Sequence, residues 1–414
     1  MIKTAQDTKY SRKKKVGRKG VNLNFDVPML LVIFTLIIFG LVMMYSASWD
    51  FSITKLGEEP TYMFNRQLLF LAIGLLAATV TSFLDYHHYR RLAVPGLLIV
   101  LGSLFLVFIS GEILHGAART ILDGSFMPAE AAKIAIIIYL SVWLYAKRNV
   151  LSDVKLGLIP LGATLGVTAG LILVQPDLSA AATIIFLGGL LFFLAGGELK
   201  QIAFLLVLMV MIGWVVVQVH PTGSERVGSY LQGFNNPLEA SYHVQRSVEA
   251  FVQGGIFGAG IGNSITKLTG LPLPATDSIF SVIGEETGML GTSFLIILFS
   301  IFVWRGIHIA RRAPDLLGSL LAAGITIWIA FEAFINMAMM INLVPIAGNS
   351  LPFFSAGGSN LVATIASVGI LINISRVSKL AGNEVNGSIN ATDGLRRGKR
   401  RRGESRSRRA PSNR

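Results

Sequence analysis

Ionisable side chains are sparse in this sequence, and a few of them fall beside long apolar stretches. Arg119 stands in GAARTI, Glu130 and Lys133 in MPAEAAK, and Asp177 in QPDLS. Asp277, Glu285 and Glu286 share LPATDSIFSVIGEETG, and Arg246 sits in SYHVQRS. A charge in or beside a membrane-length apolar segment is costly, so each is a functional candidate by default. Asp277 has the sharpest chemistry. It closes a long Gly-rich loop and enters the apolar run Ile279, Phe280, Val282 and Ile283. Partial burial there suits a carboxylate to general-base work, although the same position also suits a helix cap. Glu285 and Glu286 add carboxylate roughly 12 Å further along that helix, too far to pair with Asp277, and stand as supporting groups.

Glu130 and Lys133 are three residues apart and share one helical face, where they can pair. Pro128 suits the first turn of that helix, and Glu130 suits its positive end. Two readings follow. The pair is a structural tie that sets helix register, or Lys133 lines a polar cavity and contacts a phosphate. Asp177 lies where two helices meet, which suits an N-cap.

The elements that must position these groups are membrane helices. The 414 residues are 52% hydrophobic and 14% charged, with mean hydropathy +0.62. Soluble domains carry about 25% charged residues, so the bilayer is the expected solvent. The absence of cysteine excludes disulfides, thiolate metal sites and a thiol nucleophile. The basic start of the chain lacks a small-residue cleavage pattern, which points away from a cleavable secretory signal. Apolar windows predict an all-α, polytopic bundle of about ten transmembrane helices, near 28–47, 68–84, 93–110, 127–146, 157–174, 178–196, 199–219, 280–304, 317–341 and 358–376. The short gap at 174–178 leaves room for a kink or a re-entrant hairpin instead of two spans. A long external loop, about 220–279, separates helices 7 and 8. Its helix-like Tyr242 to Phe251 stretch and its Gly-rich run from Gly254 to Gly262 predict packing over the outer face of the bundle.

Lys and Arg asymmetry orients the chain. Arg90, Arg91, Lys147, Arg148, Lys155, Lys200, Arg305, Arg311 and Arg312 fall on one side, which predicts both termini in the cytoplasm. The domains are then a basic tail (1–27), a transmembrane body (28–378) and a basic tail expected to be disordered (379–414). The net charge of +13 concentrates in those tails, where contact with anionic membrane lipid is favoured over nucleic acid.

Several motifs occur together and in order. MMYSAS, FNRQL, GAAR, PAEAAK, QPDL, the stretch GGIFGAGIGNSITKLTGLPLPATDSIFSVIGEETGMLG and LPFFSAGGSN span about 28 to 378. In this order they resemble the SEDS family of peptidoglycan glycosyltransferases. GIGNS, IGEE and the long tails lean toward its division-type branch. The chain departs from the family pattern at Ala275, which replaces the His of His-Thr-Asp. It departs also at Met127, at Thr120 after Arg119, and at Ala356, which replaces the Tyr of SYGGS. Arg246 intrudes among Tyr242, Gln245 and Ser247. It reads as a divergent member.

The resemblance implies septal polymerisation of lipid II in the bacterial inner membrane, with inversion at the anomeric carbon and undecaprenyl pyrophosphate leaving. It assigns Asp277 as the base, Arg119, Lys133 and Arg246 as counter-charges for pyrophosphate, and Glu130 as the group orienting Lys133. A divalent cation, magnesium or manganese, could assist through Asp177 or Glu285, although no cluster resembles a dedicated metal cage. The expected partners are a class B penicillin-binding protein, which supplies the transpeptidase, and other division proteins. The rival readings are a lipid II flippase, a non-catalytic division scaffold, and another lipid-linked sugar polymerase or ligase.

Overall fold

A helix satisfies its own backbone within lipid, so apolar stretches of about twenty residues fold there as helices. The computed structural model describes residues 25–110, 126–219, 221–236 and 239–380, and among these it contains helices and no strand. The helices are α1 (Val27–Phe51), α2 (Tyr62–Phe83), α3 (Tyr89–Ser110), α4 (Pro128–Lys147), α5 (Ile159–Val174) and α6 (Leu178–Leu194). They continue as α7 (Leu199–Val219), α8 (Pro221–Asn235), α9 (Tyr242–Gly254), α10 (Ile279–Arg311), α11 (Leu316–Met340) and α12 (Gly358–Leu380).

All ten expected spans are present as helices. Eight are long and apolar enough to cross a membrane, and α6 and the apolar part of α7 are shorter. The gap at 174–178 resolves into a tight turn between α5 and α6, not a kink in one helix. Several helices outrun their apolar windows. The first turns of α2 hold Asn65, Arg66 and Gln67, and the last turn of α10 holds His308 and Arg311. Polar side chains are tolerated at helix ends because they reach the interface, and a hydropathy window misses them.

The core is organised around α11. The fraction of its apolar window buried inside the protein is 72%, against 22% for α2 and for the span containing α3. It packs on α4, α6 and α10. Trp328, Ile325, Ile329 and Leu321 sit in one apolar cluster with Ile136 and Ile137 of α4, Leu187 and Leu191 of α6, and Phe302 of α10. Small residues bring these helices together. A side chain at Gly324 would strike Ile137 at 2.9 Å, and one at Gly306 would strike Thr326 at 2.2 Å. Close packing of this kind drives association in lipid, where apolar burial gains nothing. Leu31, Phe34, Leu76, Ile99 and Phe105 are exposed and form part of the outward apolar surface.

Polar ties close the two ends of the bundle. At one end Arg305 of α10 pairs with Asp26, which also caps α1 by accepting from the Met29 amide at 3.0 Å. Tyr86 donates at 3.0 Å to Asp315, the N-cap of α11. The opposite end carries the candidate site.

The loop between α7 and α10 is not structureless. It contains α8 and α9, and α9 packs on α10 and α11. Its Gly-rich run has a specific partner. α10 is broken at Gly288, whose φ of 65° and ψ of −164° are open only to glycine. The freed backbone groups bond to the run. Ala259 and Gly260 amides donate to the Glu285 and Glu286 carbonyls at 2.9 and 3.0 Å, and the Met289 and Leu290 amides donate to Gly255 and Ile256 at 2.9 and 3.2 Å. A Cβ at Gly258 would lie 2.2 Å from the Glu286 carbonyl oxygen. Backbone meets backbone here, so glycine is required.

Candidate functional site

Asp277 lies in the last turn before α10 and is half-buried. Three elements hold the segment around it. Asn336 of α11 donates to the Asp277 carbonyl at 2.9 Å and to the Asn349 carbonyl at 2.6 Å. Ser355 donates to the Thr276 carbonyl at 2.6 Å, and the Ala356 amide to the Ala275 carbonyl at 2.8 Å. The Asp277 carboxylate adjoins Gly348, where an added side chain would come within 3.6 Å of Oδ2. The carboxylate is thus carried on a backbone that cannot drift, at the mouth of the bundle. The N-cap residue of α10, Ser278, makes no side-chain cap bond.

Two of the departures from the SEDS pattern meet here. Ala275 and Ala356 stand where the pattern has His and Tyr, and their backbones bond to each other. An imidazole nevertheless reaches this segment from elsewhere. His243 of α9 bonds through Nε2 to Ser278 Oγ, and Ser278 in turn donates to the Pro272 carbonyl at 2.5 Å. With the serine proton committed to Pro272, His243 is the donor in the first of these bonds. Burial, then the Arg226 guanidinium, hold the His243 pKa below the ordinary histidine value.

Glu130 and Lys133 do pair, at 2.8 Å, and both are buried. Their cluster is larger than spacing alone predicts. Lys133 also pairs with Glu332 of α11, and Asn360 of α12 donates to Glu130 at 2.8 Å and to Glu332 at 3.2 Å. The Trp328 ring lies 6.0 Å from the Lys133 ammonium. Three helices are therefore locked at one level, which is the register-setting reading. Two carboxylates hold the one ammonium between them. Glu332 and Asn360 were missed because only the fold brings them to Lys133, from about 200 residues away in the chain.

Glu285 and Glu286 turn away from Asp277 and clamp the overhang. Glu285 accepts from Ser264 Oγ at 2.5 Å, from the Ile265 amide at 2.7 Å and from Thr266. Glu286 pairs with the buried Lys267 at 2.6 Å and accepts from Ser46 of α1 at 2.6 Å. Lys267 also donates to Ser46 at 2.8 Å, so α1, α10 and the loop share one tie. Arg246 is engaged likewise. It pairs with Glu249 at 2.5 Å and donates to the Thr269 carbonyl at 2.9 Å, which ties α9 to the loop and places it apart from the Lys133 cluster. Asp177 caps α6, accepting from the Ala180 amide at 3.1 Å and Ser179 at 2.9 Å. Arg119 lies outside the described residues, as do 1–24 and 381–414.

The residues considered for a divalent cation do not fit one. The Glu285 carboxylate is saturated by loop donors, and Asp177 Oδ1 accepts both bonds of its cap. Among the described residues no three His, Asp or Glu side chains gather as a metal site would need.

Residues 27–380 match the FtsW/RodA/SpoVE family, described as cell cycle protein. The chain is 39% identical over 363 residues to a probable peptidoglycan glycosyltransferase FtsW of Trichlorobacter lovleyi, covering 86% of this chain and 94% of that one. It is 36% identical over 361 residues to stage V sporulation protein E of Bacillus subtilis, covering 85% and 97%. Among solved structures, it superposes with a TM-score of 0.69 and 25% identity on a chain from a study of the structural coordination of polymerization and crosslinking by a peptidoglycan synthase complex. That match covers 86% of this chain and 99% of that one.

Proposed function

Because the chain belongs to the FtsW/RodA/SpoVE family, we propose that it is a peptidoglycan glycosyltransferase that polymerises lipid II, with Asp277 as the general base. The observation that supports this most directly is the way the Asp277 segment is pinned by Asn336, Ser355 and Ala356 while its side chain stays half-exposed. A base must stand within hydrogen-bond reach of the proton it removes, and a fixed backbone provides that.

In this reading the acceptor sugar's 4-hydroxyl attacks the anomeric carbon of lipid II. The O–C bond forms as the bond to undecaprenyl pyrophosphate breaks, with inversion. Asp277 takes the hydroxyl proton as the nucleophile commits. The pyrophosphate leaves with the electron pair and needs positive charge nearby. Arg119 is the residue proposed for that task. Lys133 acts differently: with Glu130, Glu332 and Asn360 it holds α11 in register, and α11 carries Asn336. Glu285, Glu286 and Lys267 fasten the overhang to α10 and α1, and Arg246 ties it to α9. No step is assigned to a metal ion.

The rest of the reading concerns place and partners. The chain is a multi-pass membrane protein. We place it in the bacterial cytoplasmic membrane at the division septum, with both termini cytoplasmic and Asp277 on the outer face. Its proposed partner is a class B penicillin-binding protein that crosslinks the new strand.

The test uses the purified chain with its transpeptidase and labelled lipid II. Glycan strands from the wild type and none from Asp277→Asn, at equal expression and equal thermal midpoint, support the assignment. Strands of equal yield from the variant remove Asp277 from the role. Passage of lipid II across liposome membranes without polymer establishes a flippase instead.

A further inference from the structure

The turn that carries Asp277 is held from two sides. On one side Asn336 and Ser355 bond its carbonyls, while Ala275 and Ala356 contribute main chain only. The other side depends on Ser278, which is fully buried. The peptide joining Asp277 to Ser278 donates its N–H to the Leu273 carbonyl at 3.2 Å, and its own carbonyl accepts from Asn336 at 2.9 Å. The Thr276 amide donates to the same Leu273 carbonyl at 3.1 Å. Leu273 itself takes a φ of 48°, a left-handed conformation that bulky side chains rarely adopt. Such strain persists only where the surroundings over-determine it.

Ser278 supplies that constraint, and His243 governs Ser278. The serine hydroxyl donates to the Pro272 carbonyl at 2.5 Å and accepts from His243 Nε2. A hydroxyl has one proton to give, so with that proton committed and an acceptor site filled it no longer rotates freely. His243 comes from α9, 35 residues earlier in the chain, and its own place is firm. Ser241 caps α9 by accepting from the Val244 amide at 3.4 Å. Ser247, one turn on, donates to the His243 carbonyl at 2.8 Å and lies 3.4 Å from Met340 Sδ of α11. Burial, then the Arg226 charge, favour the neutral imidazole, and the positive end of α9 acts the same way. A neutral ring with its proton on Nε2 is the form this bond uses.

We propose that His243 is a positioning residue for the base: through Ser278 it locks the turn over 272–278 from which the Asp277 carboxylate is presented. It acts on the turn and not on substrate. The inference rests on the reading of Asp277 as the base, and it adds α9 to the elements that support it. The anchors differ in kind. Asn336 and Ser355 hold main-chain oxygens, whereas His243 holds the side chain that ties the end of the turn back to its beginning.

The experiment uses the full chain with its transpeptidase and labelled lipid II, with amide exchange over 272–280 followed in parallel. His243→Leu is expected to lower kcat about tenfold with little change in KM, because position is lost and substrate contact is not. His243→Gln, whose amide N–H can stand where Nε2–H stood, should recover most of the rate. Ser278→Ala removes only a hydroxyl and should match His243→Leu, which keeps the test valid if the leucine variant misfolds. The double variant should lose no more than either single one, since both break the same tie. Exchange over 272–280 should rise in His243→Leu and Ser278→Ala and stay low in His243→Gln. Wild-type kcat in both His243→Leu and Ser278→Ala overturns the inference, as does a loss confined to KM or a folded His243→Gln as slow as His243→Leu. If the wild type makes no polymer while exchange still depends on His243, the glycosyltransferase reading fails and the tie to the turn stands.

Discussion

Glu332 and Asn336 stand one turn apart on α11, about 6 Å along its axis, and join two sites that the chain order keeps separate. Glu332 pairs with Lys133 of α4 and accepts from Asn360 of α12. Asn336 holds the backbone of Asp277 and of Asn349. The most buried span of the bundle therefore carries both the register lock and the support for the proposed base. A shift of α11 along its axis would move both.

Removing Lys133 tests the lock. Lys133→Met leaves Glu130 and Glu332 buried together without a cation, and breaking a buried pair this way costs roughly 3–5 kcal/mol. The thermal midpoint in detergent is expected to fall sharply. Adding Glu130→Gln and Glu332→Gln to the same chain relieves the buried charge, so most of the loss should return. A phosphate-binding lysine would show no such recovery of stability by removing its carboxylates.

Asn336→Leu keeps size but removes both donors. Each orphaned carbonyl costs about 1–3 kcal/mol, and the Asp277 backbone gains freedom. The expected outcome is a polymerisation rate down by at least about tenfold with a smaller change in lipid II affinity, because position and not binding is lost. Steady-state kinetics read the two separately. A change confined to KM would argue that Asn336 does not position the base.

Gly288→Ala and Gly258→Ala probe the broken helix. An added Cβ at Gly288 would lie 2.5 Å from the Ile256 carbonyl oxygen, and Gly288 already requires a positive φ. Either change should cost more than about 2 kcal/mol and raise amide exchange over 254–262 and 285–290. Unchanged exchange there would mean that the loop does not repair the break.

Lys267→Met should release the overhang from α1. It leaves Glu286 buried beside Ser46 with its cation gone. Limited proteolysis between Gly262 and Gly270 is expected to accelerate in the variant, while the tie between Arg305 and Asp26 at the opposite end of α10 is unaffected.

His243 sets a pH dependence. Its folded pKa lies below its ordinary value of 6.5, through burial and then the Arg226 charge. The unfolded chain therefore binds the proton first as pH falls. The contribution is fully present above about pH 6.5 and is lost on acidification through the lower folded value. Thermal midpoints should drop between pH 7.5 and 5.5, and His243→Gln should flatten that part of the curve. An unchanged slope in the variant would assign the drop to other groups.

The sequence alone determined the solvent, the helices and the identity of the acid worth testing. Lipid admits only helices and closed barrels, so uninterrupted apolar length translates directly into structure. The spacing of Glu130 and Lys133 announced their contact, because residues three apart on a helix are neighbours. Asp177 was legible as a cap for the same local reason. The remaining partners were not. Glu332, Asn336 and Asn360 lie on helices that reach Lys133 and Asp277 only when the bundle closes, and no local pattern encodes which face of α11 meets α4. Helix spacing counts distance along an axis, so it set Glu285 and Glu286 too far from Asp277 to pair but could not say where their side chains go. Their side chains follow the loop that fills the break at Gly288, and Arg246 follows Thr269 on the same loop. Tertiary packing decided these assignments, since a buried carboxylate must be satisfied by whatever donors the fold delivers to it.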